Sequence, residues 1–380
     1  MVELSVPSLP ELRRRRSEKW ALYEPDVLSL TIAEMDFPVA APIRDAIIDA
    51  IDRSDFGYAV SAPGALFEAL AAFARRRLSW TIDPEQVTVV PDVMVGLVEI
   101  CRRVAAPGEA VAFATPAYPP FFRELGAAGL RIVEIPLGRD GALDLDVLDQ
   151  ALKDGIRALV LANPHNPTGR VLPRGELEAI ADRCAAAQTW VLADEIHAPL
   201  TLPGARHLPW LEVSDAARRH GISLTSASKA FNLAALKTAF IVTAGQEARA
   251  LVSSIGSQHD HASLFGQIAA EVAFGDGDAW LDAAIGQLDR NRAQLGADLA
   301  EMLPQISWRA PQATYLAWLD CAALGMGDDP AAGFLERGRV AVSPGLDYGP
   351  PGAGHVRLNF ATSPEHLTEA VRRMRTAIDR

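Results

Sequence analysis

Two residues stand out for the chemistry their positions allow, Lys229 and Asp194. Lys229 lies in Ser226-Ala227-Ser228-Lys229-Ala230-Phe231-Asn232, directly after the β-like run Ile222–Thr225. Open α/β sheets bind ligands beyond the carboxyl ends of their strands. A lysine there, partly desolvated among small hydroxyl residues, has a lowered pKa and a free amine suited to Schiff-base chemistry. Most lysines in Ser/Ala loops are simply solvated, so this motif alone decides little. Asp194 ends the apolar run Trp190-Val191-Leu192-Ala193 and opens Asp194-Glu195-Ile196-His197. A carboxylate at a buried strand end is costly without a cationic partner. A protonated ring nitrogen would be such a partner, and the carboxylate would keep its proton in place. The plainer reading is an aspartate capping the next turn. His197 could reach an oxygen on the same ring, or serve as a hydrogen-bonded structural histidine.

Two further segments add to these. Asn163-Pro164-His165-Asn166-Pro167-Thr168-Gly169 follows the strand-like run Ala158–Leu161. Its prolines and glycine make a rigid turn that cannot continue a strand. Such a turn fixes an asparagine side chain against a ring oxygen, or is a turn and nothing more. The Asn166–Pro167 bond is expected to be cis, a low-cost state only before proline. Arg357 sits inside the late β-like run His355–Phe360. A guanidinium there is a natural bidentate clamp for a carboxylate, or one half of a surface ion pair.

The elements that must position these residues alternate. Strands are expected at Val87–Val90, Ala110–Ala114, Arg131–Ile135, Ala158–Leu161, Trp190–Ala193, Ser223–Thr225 and Ala239–Val242. Helices are expected at Val95–Val104, Pro119–Leu125, Asp146–Lys153, Arg174–Ala186 and Glu247–Ile255, after two earlier ones at Pro42–Ile51 and Gly64–Leu78. Strands alternating with helices predict a mostly parallel sheet covered on both faces. The helical stretch Asp278–Met302 leaves that sheet. Strand-like runs at Thr314–Leu319, Val340–Ser343 and His355–Asn359 and a last helix over Pro364–Ile378 then suggest a smaller α+β domain. The expected division is a large domain over 48–277 and a discontinuous small domain over 1–47 and 278–380.

Composition narrows the partners. Apolar residues make up 49% and charged residues 22%, ordinary for a globular chain with a large core. The net charge of −12 argues against a general nucleic-acid surface, which needs a basic footprint. No stretch reaches the roughly 18 apolar residues of a membrane span. The basic run Arg13–Arg16 precedes Ser17-Glu18-Lys19-Trp20 and no apolar region, so it does not read as a signal peptide. It reads as a solvated helix face, with a dimer contact as the sharper alternative. Cys101, Cys184 and Cys321 are scattered and in no metal-ligand spacing; reduced, buried thiols and a cytoplasmic address are expected.

The order of the motifs is more specific than any one of them. Asn-Pro-x-Asn-Pro-Thr-Gly, then Asp-Glu-x-His, then Ser-x-Ser-Lys, then an arginine in a late strand resembles the fold-type I pyridoxal 5′-phosphate (PLP) enzymes of the aspartate aminotransferase superfamily. The resemblance runs from about Trp20 to the end. Ala33-Glu34-Met35-Asp36-Phe37, Phe56-Gly57-Tyr58, Thr115-Pro116-Ala117-Tyr118, the histidine of Asp-Glu-Ile-His, and Thr314-Tyr315-Leu316-Ala317-Trp318-Leu319-Asp320 are similar to its cystathionine β-lyase-like carbon–sulfur lyase branch.

The resemblance implies an aspartate aminotransferase-like α/β fold, with a mostly parallel seven-stranded sheet in the large domain. It implies PLP as cofactor, joined to Lys229, with Tyr118 stacked on the ring and Asn166 and His197 at its phenolic oxygen. Asp194 would pair with the ring nitrogen. Ser226, Ser228 and the backbone of Val93 and Met94 would hold the phosphate, with Lys237 supplying charge. Tyr58 would reach the phosphate in a neighbouring subunit, which implies a homodimer with shared sites. Arg357, with Ala33 and Tyr315, would bind a small amino-acid substrate. The implied reaction is α,β-elimination from cystathionine or another S-substituted L-cysteine, giving thiol, pyruvate and ammonia. The alternatives are transamination, a specialised enzyme for a bulky cysteine conjugate, and a regulatory binding protein, which the intact Lys229, Asp194 and Arg357 disfavour. Three positions depart from the pattern. Asp92-Val93-Met94 stands where a Ser/Gly/Thr-rich phosphate cup is common, and Asp92 would repel a phosphate unless turned away or paired. Lys237 replaces a usual arginine, and Thr31 a usual tryptophan, which bears on the substrate pocket.

Overall fold

The computed structural model describes residues 4–138, 140–256 and 261–378. Its large sheet is built from β2 (Val87–Val90), β3 (Ala110–Thr115), β4 (Arg131–Pro136), β5 (Ala158–Ala162), β6 (Trp190–Asp194), β7 (Gly221–Thr225) and β8 (Ala239–Val242), after a short β1 (Leu28–Ser29). Their order across the sheet is β2-β8-β7-β6-β5-β3-β4. All contacts are parallel except those of β8, which runs antiparallel to both β2 and β7. Strands β5, β7 and β8 are buried at every residue. That is why β5 and β8 read as continuous apolar runs: helices cover both faces of the sheet, so neither face needs polar residues.

The two faces are packed by different side chains. Val111, Phe113, Val160, Leu192, Ile222, Leu224 and Ile241 pack on one side, with apolar residues of the helices Val93–Val104, Pro119–Ala127 and Gln246–Ser253. Ala112, Leu159, Leu161, Val191, Ala193, Phe240 and Val242 face the other. This is the period-two alternation of a strand, with both halves apolar.

The second sheet has the order β12-β13-β10-β9, from β9 (Ser307–Trp308), β10 (Leu316–Asp320), β12 (Ser343–Pro344) and β13 (His355–Asn359), with every pair antiparallel. The helices Asp278–Met302, Pro330–Gly338 and Pro364–Ile378 pack around it. β1 pairs in parallel with β11 (Val340–Ala341), so the N-terminal segment is bonded to the C-terminal part of the chain. The run expected as one strand over Val340–Ser343 is two: β11 pairs with β1, and β12 turns away to pair with β13.

The helix Leu264–Asp276 is absent from the expectations above. It packs on the helices Ala41–Asp52 and Gly64–Leu78 and presents Leu264, Phe265, Ile268, Val272 and Phe274 around most of its circumference, so no polar stripe marks its period. Gly266 lets it lie against the Leu236 carbonyl, where a Cβ would come within 2.1 Å of that oxygen. The basic run near the N-terminus also differs from its expected role. Arg13–Arg16 lie outside the two four-residue helices that flank them, Leu9–Leu12 and Glu18–Ala21, and Arg15 turns back to donate to the carbonyls of Met35 and Asp36. No helix among the described residues is long and apolar enough to cross a membrane.

Candidate active site

The carboxyl ends of the central strands deliver the reactive residues to one place. Ala162, Asp194 and Leu224 lie in register across β5, β6 and β7, and the loops that follow carry Asn166, His197 and Lys229. Lys229 occupies a one-turn helix, Ala227–Ala230. Ser226 caps that turn: its Oγ accepts from the Ser228 N–H at 3.0 Å and donates to the Thr238 carbonyl at 2.6 Å. The Lys229 Nζ donates to the Ala33 carbonyl at 2.9 Å, and the Tyr315 hydroxyl donates to the same oxygen at 2.8 Å. Ala33 and Tyr315 therefore stand beside the lysine. Burial, together with the charge of Arg357, pulls the Lys229 amine down to about 8.

Asp194 is buried at the end of β6 and accepts from the Ile196 N–H at 3.1 Å. Burial raises its carboxyl to about 6, against the lowering by that hydrogen bond and by Lys229. A carboxylate so strained in its ionised form is the environment a cationic partner relieves. His197 is buried, with its Nδ1 lacking any hydrogen-bond partner and its ring edge-on to Tyr315 at 6.1 Å. Burial and the nearby Lys229 and Arg357 hold its pKa down at about 3, so the imidazole is neutral.

Arg357, only 4% exposed, reaches from β13 to the large-sheet side. It donates to Asn166 Oδ1 at 3.2 Å, to the Thr31 carbonyl at 3.0 Å and to Ser343 Oγ at 3.3 Å. All three acceptors are neutral, and its Nε is buried without a partner. The Thr31 position thus serves the site through its backbone, while its hydroxyl sits 3.2 Å from Ser29 Oγ. The Asn166–Pro167 peptide is cis, as are Asn163–Pro164 and Thr115–Pro116. Tyr118 follows the last of these at the start of the helix Pro119–Ala127, and burial raises its phenol.

Asp92 resolves one departure noted in the sequence. Its Oδ1 accepts from the Val95 N–H at 2.8 Å, capping the helix Val93–Val104, while its Oδ2 pairs with Lys237 Nζ at 2.9 Å. Its charge is turned into the helix start and neutralised. Val93 and Met94 open that helix, where backbone N–H groups favour an anion. Tyr58 is not assembled with these residues in its own chain: it is 101% exposed.

Three supporting residues were missed in the sequence. Asn232 accepts from the Met35 N–H and donates to the Met35 carbonyl, both at 2.8 Å, clamping the segment that carries Ala33. Asp36 takes Lys19 Nζ and Trp20 Nε1, both at 2.9 Å, in an ion pair buried on both sides. Glu195, next to Asp194, accepts from Trp210 N at 2.8 Å and lies 2.9 Å from His207 Nε2, all buried. A buried acidic residue beside Asp194 was the available signal, but its partners lie 12 and 15 residues further on.

Residues 25–374 match the family described as "Aminotransferase class I and II". The chain belongs to that family. A Mycobacterium tuberculosis protein provisionally named a cystathionine beta-lyase is 42% identical, over 97% of this chain and 96% of its own. The cystathionine beta-lyase of Corynebacterium glutamicum is 35% identical, over 99% of this chain and 100% of its own. A solved Corynebacterium diphtheriae structure, provisionally titled a PLP-dependent beta-cystathionase, is 35% identical with a TM-score of 0.95, covering 99% of both chains. The fold is the aspartate aminotransferase-like fold, with the mostly parallel seven-stranded sheet expected from the sequence. The cofactor of the family member is PLP, and the residues present fit it. An acidic group strained by burial, a neutral imidazole with an orphaned nitrogen, a depressed lysine and a capped helix start are together what a phosphorylated pyridine aldehyde requires.

Proposed function

We propose that the protein is a PLP-dependent carbon–sulfur β-lyase, releasing thiol, pyruvate and ammonia from an S-substituted L-cysteine such as cystathionine. The observation that carries this reading is the meeting of Lys229, Asp194 and Arg357 in a chain similar, end to end, to named cystathionine β-lyases. The bound cofactor supplies an electron sink for the charge left at the substrate Cα.

The chain's own residues do the rest. Lys229 would hold the cofactor covalently at rest. Its depressed pKa leaves an amine able to take the α-proton as general base. Asp194 would hold a proton on the ring nitrogen, and a cation there would in turn keep Asp194 ionised. Arg357 has no carboxylate partner among the described residues; its acceptors are all neutral and its Nε is unpaired, so the substrate α-carboxylate would be the anion it lacks. Tyr118 would cover the ring, and Asn166 and His197 would lie at its oxygen. The N–H groups of Val93 and Met94, with Ser226, Ser228 and Lys237, would surround the phosphate. For Ser226 and Lys237 the contribution is mainly to shape the cup, since their polar atoms are engaged with Thr238 and Asp92. We further infer a homodimer in which exposed Tyr58 completes the partner's phosphate site, and a cytoplasmic address consistent with three free, buried cysteines.

The deciding experiment incubates the holoenzyme with L-cystathionine and with S-alkyl-L-cysteines in the absence of any added keto acid. Pyruvate and thiol in equal amounts are expected. Product only when 2-oxoglutarate is added would turn the assignment to transamination. Lys229→Ala is expected to lose both the visible absorbance of the bound cofactor and turnover.

A further inference from the structure

Arg357 is held in an unusual way. None of its three hydrogen bonds goes to an anion, although it is a buried cation. The remaining contact is with a ring: its Cζ lies 5.2 Å from the centroid of Tyr348, which is itself only 2% exposed. That ring is fixed from behind. Tyr348 meets Trp318 edge-on at 5.2 Å, and Trp318 stacks on His355 at 5.1 Å with an interplanar angle of 13°. Trp318 and Arg357 are opposite each other on β10 and β13, and His355 is also on β13, so guanidinium, indole and imidazole come from one pair of strands and the Tyr348 phenol is inserted between guanidinium and indole from the turn Gly345–Tyr348.

The backbone of Tyr348 does a second job. Its carbonyl accepts from the Ala117 N–H at 2.8 Å, one residue before Tyr118. The segment is a tight strap, Gly345–Tyr348 followed by Pro350–Gly352. Gly345 and Gly352 cross so closely that a Cβ on Gly352 would come within 1.8 Å of the Gly345 carbonyl oxygen. The strap therefore cannot slide without breaking that crossing, and it joins the arginine of the second sheet to the loop carrying Tyr118.

We propose that Tyr348 is a positioning residue that sets substrate-carboxylate affinity, its π-face holding the Arg357 guanidinium in place of the missing carboxylate. A ring quadrupole attracts the cation without taking any of its N–H groups, which are left to neutral acceptors, whereas a carboxylate partner would compete with the substrate for them. The ring thus orients the clamp without occupying it. The inference rests on the reading of Arg357 as the holder of the α-carboxylate.

The test keeps size constant and changes only the ring's electrostatics. Tyr348→Phe, which gives up the hydroxyl near Ser343, is the baseline and is expected to stay within about twofold of the parent in KM. Mono-, di- and trifluorophenylalanine placed at position 348 of the full-length holoenzyme then withdraw charge from the π-face stepwise. KM for an S-alkyl-L-cysteine is expected to rise with each fluorine, to about tenfold in total, with kcat and cofactor absorbance little changed. In an Arg357→Ala background the series is expected to be flat. A flat series in the wild-type background, or the same slope in both, overturns the proposal. An Arg357→Ala enzyme whose own KM is unchanged would instead overturn the role given to Arg357.

Discussion

The depressed pKa of Lys229 has a direct kinetic consequence in the cofactor-free enzyme. Only the neutral amine attacks an aldehyde. With the amine at about 8, about one molecule in eleven carries it neutral at pH 7, half at pH 8 and about nine in ten at pH 9. The rate of PLP attachment should therefore climb about tenfold from pH 7 to 9 and then level off. A lysine at the ordinary 10.5 would climb about a hundredfold over the same interval with no plateau. The causes can be separated by charge removal. Arg357→Ala takes away a positive charge that lowers the amine, so its plateau should move to higher pH. Asp194→Asn takes away a negative charge that raises it, so its plateau should move lower. Stopped-flow absorbance on the apoenzyme from pH 6.5 to 10 measures each midpoint. A log-rate still rising with unit slope at pH 9.5 would refute the depressed amine. Midpoints moving in the opposite senses would refute its assigned causes.

Four other outcomes follow from the site. Asp194 has its pKa raised from 3.8 to about 6, so the folded apoenzyme holds that proton more tightly than the unfolded chain and loses the stability it brings as pH rises from about 4 to 6. Asp194→Asn should then stabilise the apoenzyme at pH 7.5 by up to about 3 kcal/mol in urea unfolding while removing turnover. Asp92→Ser keeps an oxygen to cap Val95 but removes a negative charge beside the phosphate cup. PLP should bind about three- to tenfold more tightly by equilibrium titration. Glu195→Ala leaves the Trp210 N–H and His207 without their shared acceptor in the core. It should cost about 3 kcal/mol in urea unfolding, where an unchanged midpoint would count against a structural role. Co-expressed Lys229→Ala and Tyr58→Ala chains should regain activity in mixed dimers that neither variant has alone, because one site then receives both native residues.

Much of this protein was legible from local signals. Strands such as β5 and β8 were recognisable because a sheet buried on both faces favours unbroken apolar runs, and the ends of β5, β6 and β7 pointed to Asn166, Asp194 and Lys229. Short motifs of that kind keep their meaning because backbone conformation is decided within a few residues. The helix Leu264–Asp276 was not legible, because an element apolar nearly all round has no period to detect. Nor was the pairing of Asp92 with Lys237, 145 residues away, which turned an expected repulsion into a cap. The surroundings of Arg357 belong to the same class. Thr31, Asn166 and the segment Ser343–Tyr348 come from three separate parts of the chain and meet only when the two sheets pack. Residue type announces what a side chain can do. Which charge it faces, and how much water remains around it, are set by contacts between distant segments, and only the folded chain creates those.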